Sequence, residues 1–297
     1  MVTRRGGVVG AHGRHFIVES EDGVRTLCHR RGKKVDCVVG DRVLWQLSGD
    51  EGVIDAVEPR RNSLYRQDRW RTKTFAANLD QLLILLAVEP MYAESQLARA
   101  LIAAEVSGID ACIVLNKADL PTVNAARARL APYQRMGIAL HEVSLKANRD
   151  GACAVLAPLL AERTTLLLGP SGMGKSTLVN LMVPDAQAQV GEISSALNTG
   201  RHTTTTTTWY WLDAQRNAAL IDSPGFQEYG LHQVRAEQLA ALMPDLAPHA
   251  ASCRFTNCTH RQEPECAVRA AVASGAVAPS RYRIYEELYG ELSAVRY

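Results

Sequence analysis

The sequence predicts a multi-domain protein that combines a small β-barrel, an α/β domain with a parallel sheet, and a mostly helical C-terminal domain. Short apolar runs separated by Gly/Asp turns occupy residues 7–57, and strand-like apolar runs alternate with helical stretches over residues 79–221. An Ala-rich region with a Cys/His cluster follows residue 239. With 297 residues, 47% of them hydrophobic, the chain can bury sizeable cores, so wholesale disorder is excluded.

The N-terminal domain, residues 1–62, is predicted to be an OB-like barrel. Turns such as Glu21-Asp22-Gly23 separate about five short strands, a pattern typical of small barrels. The apolar runs are Val8-Val9, Phe16-Ile17-Val18, Val24 to Leu27, Val38-Val39, Val43-Leu44-Trp45 and Val53 to Val57. Residues 1–73 carry 15 Lys and Arg against 10 Asp and Glu. This basic excess favours a polyanion such as RNA as the partner, with a solvated charged face as the alternative.

The central domain, residues 63–238, is predicted to begin after a linker at Glu58 to Ser63. Buried strands are expected at Leu79 to Val88, Ala111 to Leu115, Ile138 to Val143, Thr165 to Leu168 and Ala218 to Ile221, with helices at Ser95 to Val106 and Val123 to Met136. Strands and helices that alternate in this way predict a parallel, doubly wound sheet. Ligands of such sheets bind outside the carboxyl ends of the strands, and the sequence motifs fall there.

A phosphate-binding loop of the pattern GxxxxGK[ST] follows the strand that ends at Leu168. The loop is Gly169-Pro170-Ser171-Gly172-Met173-Gly174-Lys175-Ser176, and Thr177 then opens an apolar helix. Its glycines let backbone N–H groups surround the phosphates, and the helix N-terminus adds a favourable dipole. Lys175 is expected to reach the β- and γ-phosphates, and the Ser176 hydroxyl to bind Mg²⁺.

A DxxG motif, Asp222-Ser223-Pro224-Gly225, follows the last buried strand. The Asp222 carboxylate can hold Mg²⁺ through water, and the Gly225 N–H can sense the γ-phosphate. Such a short pattern is also compatible with an ordinary exit from a strand. Its position downstream of the phosphate loop favours the role in nucleotide binding.

An NKxD motif, Asn116-Lys117-Ala118-Asp119, predicts that the base is guanine. The Asp119 carboxylate can accept hydrogen bonds from guanine N1–H and N2–H₂, and the Lys117 stem can cover the ring. Asn116 is expected to tie the base loop to the phosphate loop. At Ser144, where the next strand ends, a backbone N–H can meet guanine O6.

The order of the motifs is permuted. NKxD and Ser144 precede the phosphate loop, whereas in most Ras-like GTPases they follow it. The sequence thus predicts a central, circularly permuted Ras-like α/β P-loop GTPase domain. Phe226 stands where Ras-like enzymes place a water-orienting glutamine, so His202, in the switch sequence Gly200 to Thr205, is the candidate for holding the attacking water. Contact with phosphate or RNA is the alternative role of His202.

The C-terminal domain, residues 239–297, contains a predicted zinc site. Cys253, Cys258, His260 and Cys266 supply three thiols and one imidazole at close spacing. Four protein ligands complete the tetrahedral coordination of a zinc ion and leave no position for water, so a structural ion is expected. A final helix is predicted at Ser280 to Tyr289.

Together, the basic barrel, the permuted motifs, Gly200-Arg201-His202-Thr203-Thr204-Thr205, Asp222 to Phe226 and the Cys₃His set strongly resemble the RsgA family, also called YjeQ. The resemblance covers nearly the whole chain in the same domain order. It implies a bacterial GTPase that acts in late assembly of the small (30S) ribosomal subunit, contacts its rRNA and is stimulated by it. It also implies that residues 116–119 bind guanine, residues 169–177 bind the phosphates, and the Cys₃His set binds zinc.

The sequence also predicts where the protein is located, and it leaves two other functions open. No apolar segment follows the basic N-terminus, and the longest apolar run, Leu82 to Val88, is too short to cross a membrane. With four scattered cysteines, the composition fits a reducing compartment, so a cytoplasmic monomer without membrane contact is expected. Two other functions stay open: an rRNA-binding module in which nucleotide sets affinity and hydrolysis is incidental, and a metal-delivery GTPase.

Overall fold

The computed structural model describes residues 2–32, 36–68, 71–184, 186, 207–223, 231 and 233–294 of the chain. Within these ranges the fold has three parts: a five-stranded barrel, an α/β unit and a mostly helical C-terminal part. No helix in these ranges is long and apolar enough to cross a membrane.

The barrel contains five strands, as predicted. They are β1 (Arg4–His12), β2 (His15–Ser20), β3 (Arg25–Arg30), β4 (Arg42–Ser48) and β5 (Glu51–Val57). They pair in the order β1-β2-β3-β5-β4, and β4 pairs back onto β1, which closes the barrel. Val18, Trp45 and Ile54 are fully buried inside it. The apolar run Val38-Val39 was expected to be a strand, but this was wrong: Val39 forms one isolated bridge, to Ala76.

A hairpin that the apolar pattern did not predict follows directly. It consists of β6 (Ser63–Asp68) and β7 (Arg71–Ala77), and it forms a separate two-stranded sheet. The hairpin is attached to the barrel because the Ala77 N–H donates to the Val39 carbonyl at 3.1 Å. The side chain of Asn78, which follows β7, donates to the Gly40 carbonyl at 2.8 Å.

The α/β unit has six strands: β8 (Gln81–Ala87), β9 (Asp110–Asn116), β10 (Ala139–Glu142), β11 (Thr164–Leu168), β12 (Thr207–Trp211) and β13 (Ala219–Asp222). Its helices are α1 (Glu94–Ser107), α2 (Val123–Arg135), α3 (Arg149–Leu160) and α4 (Lys175–Met182). Every residue of β8 is buried, which explains its continuous apolar run. The strand order is β10-β9-β8-β11-β13-β12. The phosphate-loop strand β11 is therefore central although the chain reaches it late.

The five buried strands predicted from the sequence run parallel, as expected, and a sixth strand, β12, makes the sheet mixed. Strand β12 runs antiparallel to β13. On its other side β12 pairs with barrel strand β1 through Gly10–Thr208 and Ala11–Thr207. As a result, the barrel strands and the α/β strands form one continuous 11-stranded sheet.

The C-terminal part packs on helices α1 and α2. It contains two short 3₁₀ helices (Ala236–Gln238, Ala240–Leu242), α5 (Ala247–Ala250), α6 (Ala267–Ala273) and α7 (Pro279–Ser293). The buried Arg281 guanidinium donates to both Asp245 carboxylate oxygens, at 2.8 and 3.1 Å, and lies 5.0 Å from the centre of the Tyr133 ring of α2. An ion pair between Arg99 of α1 and Glu291 of α7 adds a second contact.

Candidate functional site

The predicted nucleotide motifs meet at one cavity of about 610 Å³. Its walls come from the loops after β9, β10, β11 and β13, all at the carboxyl ends of parallel strands. The predicted residues in its lining are Asn116, Lys117, Asp119, Ser171, Gly172, Gly174, Lys175, Ser176, Thr177 and Asp222. The remaining lining residues are Leu120, Leu145, Lys146, Ala147 and Ser223.

Asn116 connects the base loop with the phosphate loop. Its side-chain Nδ2 donates to the Met173 carbonyl at 2.8 Å, and its Oδ1 accepts the Leu145 N–H at 3.1 Å. Asn116 is 4% exposed, so both bonds are shielded from water. The contact requires glycine on the other side, because a Cβ at Gly174 would lie 2.5 Å from Nδ2. Three loops are thus held together by one buried amide.

Lys117 and Asp119 face the part of the cavity expected for the base. The Lys117 backbone is left-handed, with φ of 61°, and its ammonium donates to the carbonyls of Glu89 at 2.6 Å and Gly172 at 3.2 Å. The two bonds hold the ammonium end of the side chain, and Lys117 forms part of the cavity wall. The Asp119 N–H donates to Ser144 Oγ at 3.0 Å, and the Asp119 carboxylate is exposed to the cavity. Between them, Ala118 donates its N–H to the Val143 carbonyl at 3.1 Å.

Lys175 is hydrogen-bonded within the phosphate loop. The Lys175 ammonium donates to the loop carbonyls of Gly169 at 2.5 Å and Pro170 at 3.0 Å. Partial burial lowers the Lys175 pKa, although nearby Asp222 favours the charged form. A phosphate would replace these neutral carbonyls with charged oxygens. Gly172 has a positive φ, and Gly169 is packed so closely that a Cβ there would lie 2.3 Å from the Leu85 carbonyl oxygen.

Asp222 ends β13 at the mouth of the cavity. It is 9% exposed, and its Oδ1 has no hydrogen-bond partner among the described residues. Burial raises the Asp222 pKa to about 6, while Lys175 opposes that rise. A buried carboxylate oxygen without a partner among the described residues, in a cavity that Ser176 also lines, fits a divalent cation with oxygen ligands. Of the other predicted residues, His202 and Gly225 lie outside the described part of the chain.

Two contacts of the cavity were missed by sequence reasoning. Glu89 supplies the carbonyl that accepts from Lys117, and its carboxylate accepts from the Thr122 hydroxyl at 2.9 Å. The next residue, Pro90, lies 3.4 Å from where a Gly172 Cβ would be. Their position in the sequence could have indicated this role, because Glu89-Pro90 follows β8, whose carboxyl end lies at the same edge of the sheet.

The Cys₃His cluster is brought together as predicted. The ligand atoms of Cys253, Cys258, His260 and Cys266 all lie within 4.8 Å of one another. The Cys253 Sγ is 3.4 Å from the His260 Nδ1 and 3.9 Å from the Cys266 Sγ. Burial lowers the pKa of His260 and so favours the neutral imidazole, which is the ligating form. Three thiols and one imidazole at this separation fit a tetrahedral zinc ion.

Residues around the cluster hold its loop in shape, and the sequence did not indicate them. The Glu263 carboxylate accepts from the Thr259 N–H at 2.7 Å, the Thr259 hydroxyl at 2.6 Å and the Arg261 N–H at 3.1 Å. Two hydroxyls of α7, from Tyr282 and Tyr285, donate to loop carbonyls at 2.8 Å. The ligand loop is thereby attached to the last helix.

Comparisons with known proteins agree with this arrangement. A model of the family described as RsgA GTPase matches residues 57–232, more than half of the chain. A protein of Variovorax paradoxus (strain S110), named small ribosomal subunit biogenesis GTPase RsgA, is 57% identical over 295 residues, covering 98% of this chain and 93% of the relative. A protein of the same name from Burkholderia pseudomallei (strain K96243) is 52% identical over 294 residues, with the same two shares covered.

Solved structures are similar over the full length. The crystal structure of YjeQ from Thermotoga maritima superposes with a TM-score of 0.76 at 29% identity and covers 99% of this chain and 100% of that one. YloQ, described as a circularly permuted GTPase, superposes with a TM-score of 0.70 at 26% identity and covers 100% and 98%. The permuted order of motifs, the closed barrel and the Cys₃His cluster are therefore explained together: the chain belongs to the RsgA GTPase family.

Proposed function

We propose that this GTPase acts in late maturation of the small (30S) ribosomal subunit, where it binds rRNA and hydrolyses GTP to GDP and phosphate when the ribosome stimulates it. The observation that carries the proposal is the Asn116 amide, which joins the base loop, the phosphate loop and the loop after β10 around one cavity. The relatives named small ribosomal subunit biogenesis GTPase support the choice of partner.

Guanine is selected by the loop after β9. The Asp119 carboxylate accepts from N1–H and N2–H₂ of the base, which adenine does not offer, and the Lys117 stem covers one ring face. Ser144 holds the Asp119 backbone in place, and a backbone N–H of the same loop meets guanine O6. Both GTP and GDP are ligands, because these contacts do not involve the γ-phosphate.

The phosphates are held by residues 169–177. Backbone N–H groups surround them, and Lys175 exchanges its loop carbonyls for the β- and γ-phosphate oxygens. Ser176 and Asp222 hold Mg²⁺, the ion that neutralises charge developing on the phosphate oxygens. Gly225 senses the γ-phosphate through its N–H, and His202 orients the attacking water. The last two assignments rest on sequence position alone.

The Cys₃His cluster is proposed as one structural zinc site per chain. Its four protein ligands leave no coordination position for a substrate, which also speaks against metal delivery. Zinc binding stabilises residues 239–297 as the third domain, after the barrel of residues 1–62 and the GTPase domain of residues 63–238. The basic excess of the N-terminal region favours rRNA as its ligand. A cytoplasmic monomer without membrane contact completes the proposal.

GTP turnover by the purified protein tests it, measured alone, with small ribosomal subunits, and with large subunits as the control. We expect stimulation by small subunits only. Binding that depends on the nucleotide, without stimulation, would instead support the rRNA-binding module in which hydrolysis is incidental. No binding to small subunits in any nucleotide state would refute the proposed partner.

A further inference from the structure

One row of residues crosses from the barrel to the nucleotide cavity. Thr208 of β12 is the register partner of Gly10 of β1 on one side and of Asp222 of β13 on the other. Because paired strands lie about 4.8 Å apart, the barrel backbone is about 10 Å from the residue proposed to hold Mg²⁺. Backbone pairing joins all three strands, and a displacement of β1 must move β12 or break its pairs.

A side-chain contact reinforces the same junction. The indole Nε1 of Trp211, at the end of β12, donates to Glu19 Oε1 of barrel strand β2 at 2.8 Å. Glu19 is 7% exposed and also accepts from Arg25 at 2.8 Å, while Arg216 lies 3.6 Å away. Arg216 packs so closely on the β2–β3 turn that a Cβ at Gly23 would overlap its guanidinium. A buried carboxylate of the barrel thus contacts Trp211, where β12 ends, and Arg216, within the turn between β12 and β13.

We propose that Glu19 and Trp211 are positioning residues of the GTPase site: their hydrogen bond keeps β12 in register with the barrel, and β12 keeps Asp222 in the geometry needed for stimulated hydrolysis. Binding of a polyanion to the barrel then reaches the nucleotide cavity through the Gly10–Thr208–Asp222 row. The identity of that polyanion rests on the proposed function. The coupling itself does not, because it must also act in reverse: occupation of the cavity alters the β1–β12 junction.

The chain offers a matched pair of variants. Trp211→Phe keeps an aromatic ring and removes the indole donor to Glu19. Trp209→Phe makes the same change two residues earlier, at a ring 5.2 Å from that of Trp211, but the Trp209 Nε1 is buried without a partner in the described structure. The Trp209→Phe control therefore removes no hydrogen bond. Glu19→Ala removes the acceptor from the opposite side and serves as a second, independent variant.

The first readout is the stimulation factor, defined as turnover with small subunits divided by turnover without them. In Trp211→Phe and in Glu19→Ala we expect it to fall by about fivefold or more, while the affinity for small subunits in the GTP-analogue state is retained. Trp209→Phe should keep the wild-type factor. Because the two residues share one hydrogen bond, the loss in the double variant Glu19→Ala/Trp211→Phe should be smaller than the sum of the two single losses. Unchanged factors in both single variants, or additive losses, would overturn the proposal.

The second readout needs no ribosome. Hydrogen exchange of β1 and β12 amides is compared between the GDP state and the GTP-analogue state. We expect a nucleotide-dependent difference in the wild type and in Trp209→Phe, and its loss from β1 in Trp211→Phe while the difference in the phosphate loop remains. If small subunits fail to stimulate the wild type, the proposed function fails, and this exchange difference still decides the coupling. Absence of the difference in the wild type overturns the coupling alone.

Discussion

The Asn116 side chain donates its amide to the Met173 carbonyl, so the base-binding motif and the phosphate loop are hydrogen-bonded across 57 residues of chain. In the permuted order the base loop comes first, yet the two loops still meet at the same edge of the sheet, above strands β9 and β11 on either side of β8. What the cavity depends on is the pairing of β9, β8 and β11, not the order in which the chain visits them.

Replacing Asn116 with Ala should weaken the binding of both GTP and GDP. The change leaves the Met173 carbonyl and the Leu145 N–H buried without a partner, each at a cost of about 1–3 kcal/mol. Titration of a fluorescent guanine nucleotide should give a loss in affinity of about tenfold or more, since 1.4 kcal/mol is about a factor of ten. Asn124→Ala, at a position where the side-chain oxygen accepts from the exposed Arg127, is the control. Equal affinity in Asn116→Ala and Asn124→Ala would contradict the connecting role of Asn116.

Asp119→Asn should change the base that is preferred. The amide can no longer accept from both guanine N–H groups, and it offers a donor that suits the extra carbonyl of xanthine. Loss of hydrogen bonds to a charged acceptor corresponds to about 1.5–3 kcal/mol, or roughly 10- to 150-fold in GTP affinity. Competition between GTP and XTP measures the change in base preference. The control is Asp150→Asn, which replaces an exposed carboxylate on α3. Retained preference for GTP in the variant would refute the assignment.

Asp222→Asn should stabilise the protein free of nucleotide and Mg²⁺, with an effect that grows with pH. Burial raises the folded-state pKa of Asp222 to about 6 from an ordinary 3.8, so the folded state binds the proton more tightly than the unfolded state. The stabilising contribution of that proton is present below pH 3.8 and is lost as pH rises through about 6. At pH 8 the variant should gain up to roughly 3 kcal/mol in urea unfolding, and about half of that at pH 5.

Asp213→Asn is the matched comparison for this pH effect. Asp213 is partly exposed and accepts from the backbone N–H groups of Asn217 and Ala218, hydrogen bonds that lower its pKa. Its substitution should therefore destabilise the protein at pH 8. A stabilisation by Asp222→Asn that is the same at both pH values would show that burial of the charge is not its cause.

Cys266→Ser should release the metal and unfold the C-terminal domain while the nucleotide cavity persists. Loss of one thiolate breaks a closed four-ligand set, and the ligand loop then lacks the ion that its buried groups surround. We expect one zinc ion per chain in the wild type, almost none in Cys266→Ser, and guanine nucleotide affinity within about threefold. Cys153→Ser, on α3 and outside the cluster, should keep full zinc content. Zinc that chelators remove quickly without any loss of structure would favour a transfer site instead.

His202→Ala tests the assignment of the residue that holds the attacking water. A positioned general base or water-orienting group contributes about 10²- to 10⁴-fold, so turnover with small subunits should fall by at least about 100-fold while GTP affinity is retained. His141→Ala, on β10, is the control. Unchanged turnover with intact GTP binding would exclude His202 from catalysis.

The elements that the sequence predicted well are those with a local signature. Strand β8 was evident because all its residues are buried, and the three nucleotide motifs were evident because each begins at or directly after the end of a mostly buried strand. The short spacing of Cys253 to Cys266 brings its ligands together with little help from the rest of the fold. In these cases the chemistry and the geometry lie within a few residues of one another.

The elements that were missed depend on distant partners. Thr207 and Thr208 belong to a polar run without an apolar pattern, yet they are buried because β1 and β13 pair with β12 on either side. The hairpin β6–β7 and the failure of Val38-Val39 to form a strand have the same origin. Strand propensity reflects the surface on which a residue packs, and that surface exists only after folding.

By itself the sequence determined that the chain has a barrel, a permuted GTPase domain and a Cys₃His module, and it placed most residues of the nucleotide cavity. Only the tertiary structure decided how these parts communicate: that Asn116 joins two loops, that Glu89 anchors Lys117, and that Thr208 lies between the barrel and Asp222. Motifs can be recognised in the sequence because their residues are neighbours along the chain and local backbone geometry brings them together. Contacts between domains cannot be recognised in this way, because they depend on which surfaces remain unpaired when each domain has folded.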